Sequence, residues 1–217
     1  MANIKVSVIG SGDVGEVLAN GFLKHGYSVM RASRTPANLA EWKSSAGPNA
    51  STGDFKEAAV FGSLVVLAVK GSAAVEAIKL AGADALAGKT VIDTTNPIAD
   101  AEPVNGVVQY FTGPNESLLE RIQAAAPKAH VVKAFSCVGN ALMVNPQFKG
   151  GVQGSMFICG NNDAAKASVR EVLTQFGWET ADMGAAQAAR AIEPLCMLWC
   201  IPGFRENSWT HAFKLLK

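Results

Sequence analysis

Gly10, Gly12 and Gly15 stand at the spacing G-x-G-x-x-G within Gly10-Ser11-Gly12-Asp13-Val14-Gly15. Glycines at those intervals allow a tight turn, bring bare backbone against a pyrophosphate, and let a following helix pack closely on the preceding strand. The chemistry this spacing can do is to hold a dinucleotide, with the helix N-terminus offering unpaired N–H donors to the phosphates. Where a carboxylate ordinarily accepts both ribose hydroxyls of NAD, the chain carries Ser33-Arg34. A carboxylate there would repel a 2′-phosphate, whereas a planar guanidinium binds one through paired charged hydrogen bonds. Gly10, Ser11, Gly12, Asp13, Val14, Ser33 and Arg34 are therefore candidate NADP contacts, with Arg31 and Lys43 as candidate helpers. The alternative for Arg34 is a solvated surface charge.

The elements that must position these residues are legible around them. Ile4, Val6, Val8 and Ile9 read as a buried strand before the turn, and Val14, Val17, Leu18 and Phe22 recur at helical spacing after it, up to Lys24, His25 and a Gly26 stop. Further strands are expected at 28–31, 64–69, 90–93 and 130–135, with helices at 73–80 and from a Ser117/Glu120 capping box to Pro127. Residues 98–114 carry turn residues and little periodicity, which fits either a segment covering a site or a surface excursion. Alternating strands and helices imply a doubly wound parallel sheet. Ligands bind beyond the carboxyl ends of such strands, and the turn, Ser33-Arg34, Val69-Lys70, Asn96-Pro97 and Phe135-Ser136-Cys137 all fall there. Beyond 139 the pattern changes to a strand at 155–160, a helix capped by Asn161-Asn162-Asp163 and running to Phe176, a strand at 178–182, a helix at 185–197 and a break at Pro202-Gly203. This piece is too short to bury a core alone, so the chain reads as one domain over 1–217, a dinucleotide-binding core over 1–140 with an α/β extension over 141–217.

Composition excludes other classes. The chain of 217 residues is 49% hydrophobic, enough for one sizeable core, and its net charge of +1 provides no field for nucleic acid or an acidic membrane. No apolar run reaches the roughly 20 residues of a membrane helix, and a strand begins near the N-terminus with no leader, so a cytoplasmic protein with small-molecule partners is expected. Cys137, Cys159, Cys196 and Cys200 lack C-x-x-C spacing and read as buried thiols, and His25, His130 and His211 form no ligand-spaced pair, so no metal centre is expected.

The stretches VIGSGDVG, ASR, LAVK, DTTNP, KAFS and DMGAAQAARAIEPLCMLW, in this order, resemble the deazaflavin-dependent NADP oxidoreductase family. They are also similar to the cytosolic oxidoreductase domain of the six-transmembrane epithelial antigen metalloreductases. The resemblance implies an NADP-binding Rossmann-type domain whose small C-terminal part helps close a cleft over the nicotinamide, where a flavin or deazaflavin lies for direct hydride transfer. It places Ser11, Gly12, Asp13 and Val14 at the pyrophosphate and nicotinamide-side ribose, and Ser33 and Arg34 at the 2′-phosphate. Ala68, Val69 and Lys70 would line the adenosine-to-ribose path, and Asn96, Pro97, Ala134 and Phe135 would border the nicotinamide. Cys137 stands where relatives often have a small polar residue, and Lys70 where many have proline.

Hydride transfer between stacked rings needs no nucleophile and no obligatory acid, only donor and acceptor carbons held roughly 3 to 3.5 Å apart in a dry cleft. That accounts for a chain with no Ser/His/Asp order, paired carboxylates or Cys/His pair to nominate. Asp93, Asp182 and Glu193 read as caps or ion-pair members, while Met197 and Trp199 fit a substrate contact, a core position or a dimer contact. Leu195, Met197, Leu198, Trp199 and Ile201 form an apolar segment from which a homodimer is expected. Two function classes follow: an NADP(H)-dependent oxidoreductase acting on a flavin or deazaflavin, and an NADP(H)-binding redox-sensing module without turnover.

Overall fold

The computed structural model describes residues 4–216. In chain order its elements are β1 (Lys5–Ile9), α1 (Asp13–Lys24), β2 (Ser28–Ala32), α2 (Ala40–Ser45), β3 (Ala50–Gly53), α3 (Phe55–Phe61), β4 (Leu64–Leu67), α4 (Ala74–Ala81) and β5 (Thr90–Asp93). Then follow α5 (Leu118–Ala125), β6 (His130–Lys133), β7 (Ser155–Gly160), α6 (Asp163–Gln175), β8 (Glu179–Asp182), α7 (Ala189–Ile192) and α8 (Pro194–Glu206). The strands form one sheet of order β3-β2-β1-β4-β5-β6-β7-β8. β1 to β6 are parallel, and their near-continuous apolar runs are what a strand covered by helices on both faces requires. β7 reverses against β6, pairing Val132 with Gly160, and β8 runs parallel to β7. A reversed neighbour needs no crossover helix, so residues 134–154 can stay irregular.

Two buried clusters occupy the two faces of the sheet. One contains Phe22, Trp42, Phe135, Phe176 and Trp178, the other Ile9, Phe55, Leu67, Ile78, Leu118 and Ile192. The expected capping boxes and caps form: Ser117 with Glu120 starts α5, and the Asn162 side chain accepts from the Ala165 N–H at the start of α6.

The stretch 98–114 is a hairpin-like excursion. Ile98 bridges Tyr110, Val104 bridges Val107, and the tip takes left-handed backbone at Asn105 (φ 53°) and Gly106 (φ 83°), as a two-residue turn between twisted strands demands. Its tip leans on α8, where a Cβ on Gly106 would come 3.0 Å from the Arg205 side chain.

Pro202-Gly203 does not break the chain: α8 continues through Pro202 to Glu206 and stops at Asn207, in left-handed conformation at φ 51°. Proline at 202 removes one N–H from the helix ladder. The residue four back, Leu198, is exposed, so water can serve its carbonyl. Gly203 has a packing reason instead of a turn reason, since a Cβ there would lie 2.2 Å from the Trp209 ring. The tail returns along the molecule, with the Trp199 indole donating to the His211 carbonyl at 2.8 Å and the Ser155 N–H donating to the Phe213 carbonyl at 2.9 Å.

Candidate functional site

The site begins where β1 ends. Gly10 (φ +152°) lies so close to β4 that a Cβ would sit 2.0 Å from the Ala68 carbonyl oxygen, and a Cβ on Gly15 would sit 2.5 Å from the Gly10 carbonyl oxygen. Gly12 differs, because a Cβ there would meet no protein atom within 4 Å. Two glycines are thus demanded by the protein's own packing, while the third keeps open the space that a ligand's phosphates would fill. Gly12 caps α1 without any side-chain hydrogen bond, leaving the first-turn N–H groups of α1 for an anion. The residues present fit a dinucleotide pyrophosphate.

Arg31 holds this turn from behind. Its guanidinium is 2% exposed. It donates to the carbonyls of Gly10 (3.3 Å), Ser11 (2.8 Å) and Gly12 (3.0 Å) and to Glu16 Oε2 (2.9 Å). Arg31 is therefore no helper for a 2′-phosphate, because every side of its fork is engaged in the fold. Lys43 also lies outside the cleft walls.

Two clefts run along the carboxyl rim of the sheet. The first, about 500 Å³, extends from the glycine turn past Ser33 and Arg34 to the apolar side chains of Phe55, Ala77 and Leu80. The Ser33 hydroxyl accepts the Thr35 N–H at 3.2 Å. Arg34 is exposed at the mouth and has no hydrogen-bond or ion-pair partner among the described residues. The second cleft, about 530 Å³, shares Gly12, Ala68, Val69 and Lys70 with the first and continues over Thr94, Thr95 and Asn96 to Val138, Gly139 and Asn140. Lys70 pairs across its mouth with Asp100 of the excursion.

The far wall differs from expectation. Phe135 has φ 62° and is 1% exposed, its ring turned into the core against Phe176. Ala134 and Pro97 are buried with it, and none of the three lines either cleft. The left-handed step at 135 redirects the chain so that Val138–Asn140 supply the wall in their place. Asn96 does reach the cleft, its amide donating to the Ser136 carbonyl at 2.7 Å. Among the described residues, none after Asn140 lines either cleft. The extension over 141–217 braces the wall, with the Trp199 ring packed where a Cβ on Gly139 would be, 2.6 Å away.

Residues 5–97 match the family described as NADP oxidoreductase coenzyme F420-dependent. A crystal structure from Arthrobacter sp. FB24, described as a candidate F420-dependent NADP-reductase, superposes with a TM-score of 0.90 at 31% identity, over 99% of this chain and 100% of that one. The chain belongs to this family. Membership in the F420-dependent NADP oxidoreductases makes it an NADP-dependent oxidoreductase by class, with NADP as the coenzyme. It is also 32% identical to metalloreductase STEAP3 of Rattus norvegicus over 205 residues, and 27% identical to metalloreductase STEAP2 of Homo sapiens over 194 residues. Those matches take 91% and 88% of this chain but only 38% and 36% of the relatives, so the chain spans well under half their length. No described helix is long and apolar enough to cross a membrane.

Directly behind the second cleft of this oxidoreductase lies a fully buried ionic cluster. Lys133 Nζ is 2.6 Å from Asp93 Oδ2 and 2.8 Å from Glu193 Oε1, and donates to the Thr95 carbonyl at 2.8 Å. Burial alone would lower the Lys133 pKa, but the two carboxylates more than offset it and hold the ammonium above its ordinary value. Asp93 and Glu193 thus belong to an ion-pair network, and Asp182 likewise pairs with Lys166 at 3.0 Å. All four cysteines are buried and free. Burial pushes the Cys137 thiol up to about 12, the behaviour of a packing residue and not of a nucleophile. The described residues contain no cluster of three His, Cys, Asp or Glu side chains that could hold a metal.

Proposed function

We propose that the protein moves hydride between NADP(H) and a flat, multi-ring acceptor of the flavin or deazaflavin class. The observation that carries this reading is the continuity of the two clefts through Gly12, Ala68, Val69 and Lys70. The first suits the adenosine half: Ser33 and Arg34 meet the 2′-phosphate, the start of α1 meets the pyrophosphate, and Phe55 with Leu80 flanks the adenine. The second suits the nicotinamide, between the floor Thr94–Asn96 and the wall Val138–Asn140, and its volume of about 530 Å³ would have to take the acceptor ring as well. When bound, NADPH supplies the hydride. What the chain would contribute is placement: Val69, Ile98 and Val138 would shield the ring faces, and the backbone of floor and wall would hold coenzyme and acceptor face to face, as direct transfer needs. No residue is asked to act as acid, base or nucleophile; the ionisable side chains on this cleft are Asp13, at the start of α1, and Lys70, which pairs with Asp100.

NADPH oxidation followed at its near-ultraviolet absorbance against FMN, FAD, riboflavin, a deazaflavin and ferric chelates tests the proposal. Turnover with at least one ring acceptor is the expected result. Tight NADPH binding with no turnover on any of them would favour a redox-sensing module. Homodimerisation belongs to the same proposal, supported by the exposed apolar side chains Leu198 (54% exposed) and Phe204 (50%) on α8 and Val104 (59%) on the excursion. Trp199 is excluded from that surface because the tail covers it. A strictly monomeric mass by light scattering at micromolar concentration would remove the dimer from the proposal.

A further inference from the structure

We infer that Lys133, clamped between Asp93 and Glu193, is a positioning residue for the nicotinamide half of the site, fixing the cleft floor and tying it to the C-terminal extension. This rests on the reading of the second cleft as the nicotinamide site. β5 ends at Asp93, and from Thr94 onward the sheet no longer orders the backbone as a strand. Backbone polar groups leaving a strand must find other partners, and at Thr95 the ionic cluster supplies them. Asp93 Oδ1 accepts the Thr95 N–H at 2.9 Å and the Thr95 hydroxyl at 2.7 Å, while Lys133 donates to the Thr95 carbonyl at 2.8 Å. Thr95 is thereby held at three atoms, by bonds in which one partner is charged and which are the stronger for it. Thr95 is on the cleft floor and Asn96 follows it.

The other end of the cluster reaches the extension. Glu193, at the corner between α7 and α8, accepts the N–H groups of Leu118 (2.9 Å) and Leu119 (3.0 Å) at the start of α5 with the two oxygens of the carboxylate that pairs with Lys133. Its carbonyl takes the Tyr110 hydroxyl at 2.7 Å. One ammonium therefore joins the end of β5, the start of α5, the excursion and the α7/α8 corner. Apolar side chains of the same volume would stabilise such a core equally well, since desolvating ions offsets their attraction. What an apolar core could not do is hold three polar atoms of one floor residue in fixed directions. The extension contributes no wall to the cleft, yet through Glu193 and Lys133 it sets where the floor lies.

Affinity for 2′,5′-ADP, which fills only the adenosine half, is measured by calorimetry beside that for NADPH in the parent and in Lys133→Met. The expected result is 2′,5′-ADP affinity unchanged and NADPH affinity reduced about tenfold, the loss of one well-placed interaction. Arg190→Gln, which breaks the neighbouring pair of Arg190 with Glu120 on α5 (2.6 Å) and does not touch Thr95, is expected to change neither. Should Lys133→Met fail to fold, Asp93→Asn, which keeps an oxygen for Thr95 but weakens the clamp, is expected to give the same pattern in smaller degree. A folded variant that loses both ligands equally, or neither, overturns the inference. If 2′,5′-ADP does not bind the parent, the coenzyme-site reading itself falls and the inference with it.

Discussion

Arg34→Ala is expected to reduce NADPH affinity by about 10- to 100-fold while leaving NADH affinity close to the parent's, because a charged hydrogen bond contributes about 1.5 to 3 kcal/mol. The guanidinium stands at the mouth of the first cleft beside Ser33, exposed and without a partner among the described residues. Its removal breaks nothing in the fold, so the melting temperature without ligand should hardly move. Because the contact is open to solvent, raising the salt concentration should shrink the gap between parent and variant. Calorimetric titration of both coenzymes at low and high salt checks each part. Equal losses for NADH and NADPH would point to a damaged turn, and unchanged NADPH affinity would remove Arg34 from the site.

Arg31→Met should behave in the opposite way, losing stability and both coenzymes together. The side chain is 2% exposed and its removal strips donors from the carbonyls of Gly10, Ser11 and Gly12 and the partner from Glu16. Methionine fills part of the volume but gives those acceptors nothing. Each buried acceptor left unpaired costs about 1 to 3 kcal/mol. Some carbonyls can turn to water, so a total on the order of 3 kcal/mol is reasonable, a fall of roughly 6 to 12 °C in melting temperature for a chain of this size. Thermal unfolding without ligand, followed by circular dichroism, decides it. A midpoint within about 2 °C of the parent would mean that the turn stands without its buttress.

The first half of the fold is written locally. β1, the glycine turn and α1 follow one another with the spacing that a phosphate-binding turn requires, and the apolar run of β4 and the capping box of α5 announce themselves in the same way. Ser33-Arg34 is legible because the residue type contradicts the usual carboxylate at a known place along the chain. Residues 36–61 are quieter: β3 reads Ala-Ser-Thr-Gly with no apolar run, and α2 and α3 are six and seven residues long, so the Asp54/Glu57 capping box is the readable signal there. What sequence does not carry is direction. Arg31 and Arg34 are equally basic as letters, yet one is enclosed by the turn's carbonyls and the other faces solvent. The far wall is hidden for a related reason: a phenylalanine at φ 62° is a departure that only tertiary packing enforces, and it moves the wall from Ala134 and Phe135 to Val138–Asn140. Lys133, Asp93 and Glu193 are scattered along the chain and meet only because β5, β6 and the α7/α8 corner come together, which no local pattern encodes.

Two arginines three positions apart therefore answer to different judges. An exchange at 31 is tested by whether the chain folds, since that guanidinium is bound to the turn's own carbonyls. On the proposed reading, an exchange at 34 is tested only by which coenzyme binds, since that guanidinium is exposed at the cleft mouth. Preference for a phosphorylated coenzyme is thus a trait that can drift, or be engineered, without rebuilding the domain: replacing Ser33 and Arg34 by residues that hold a bare ribose, with Arg31 left untouched, is the shortest route by which this scaffold could be turned to the other coenzyme pool.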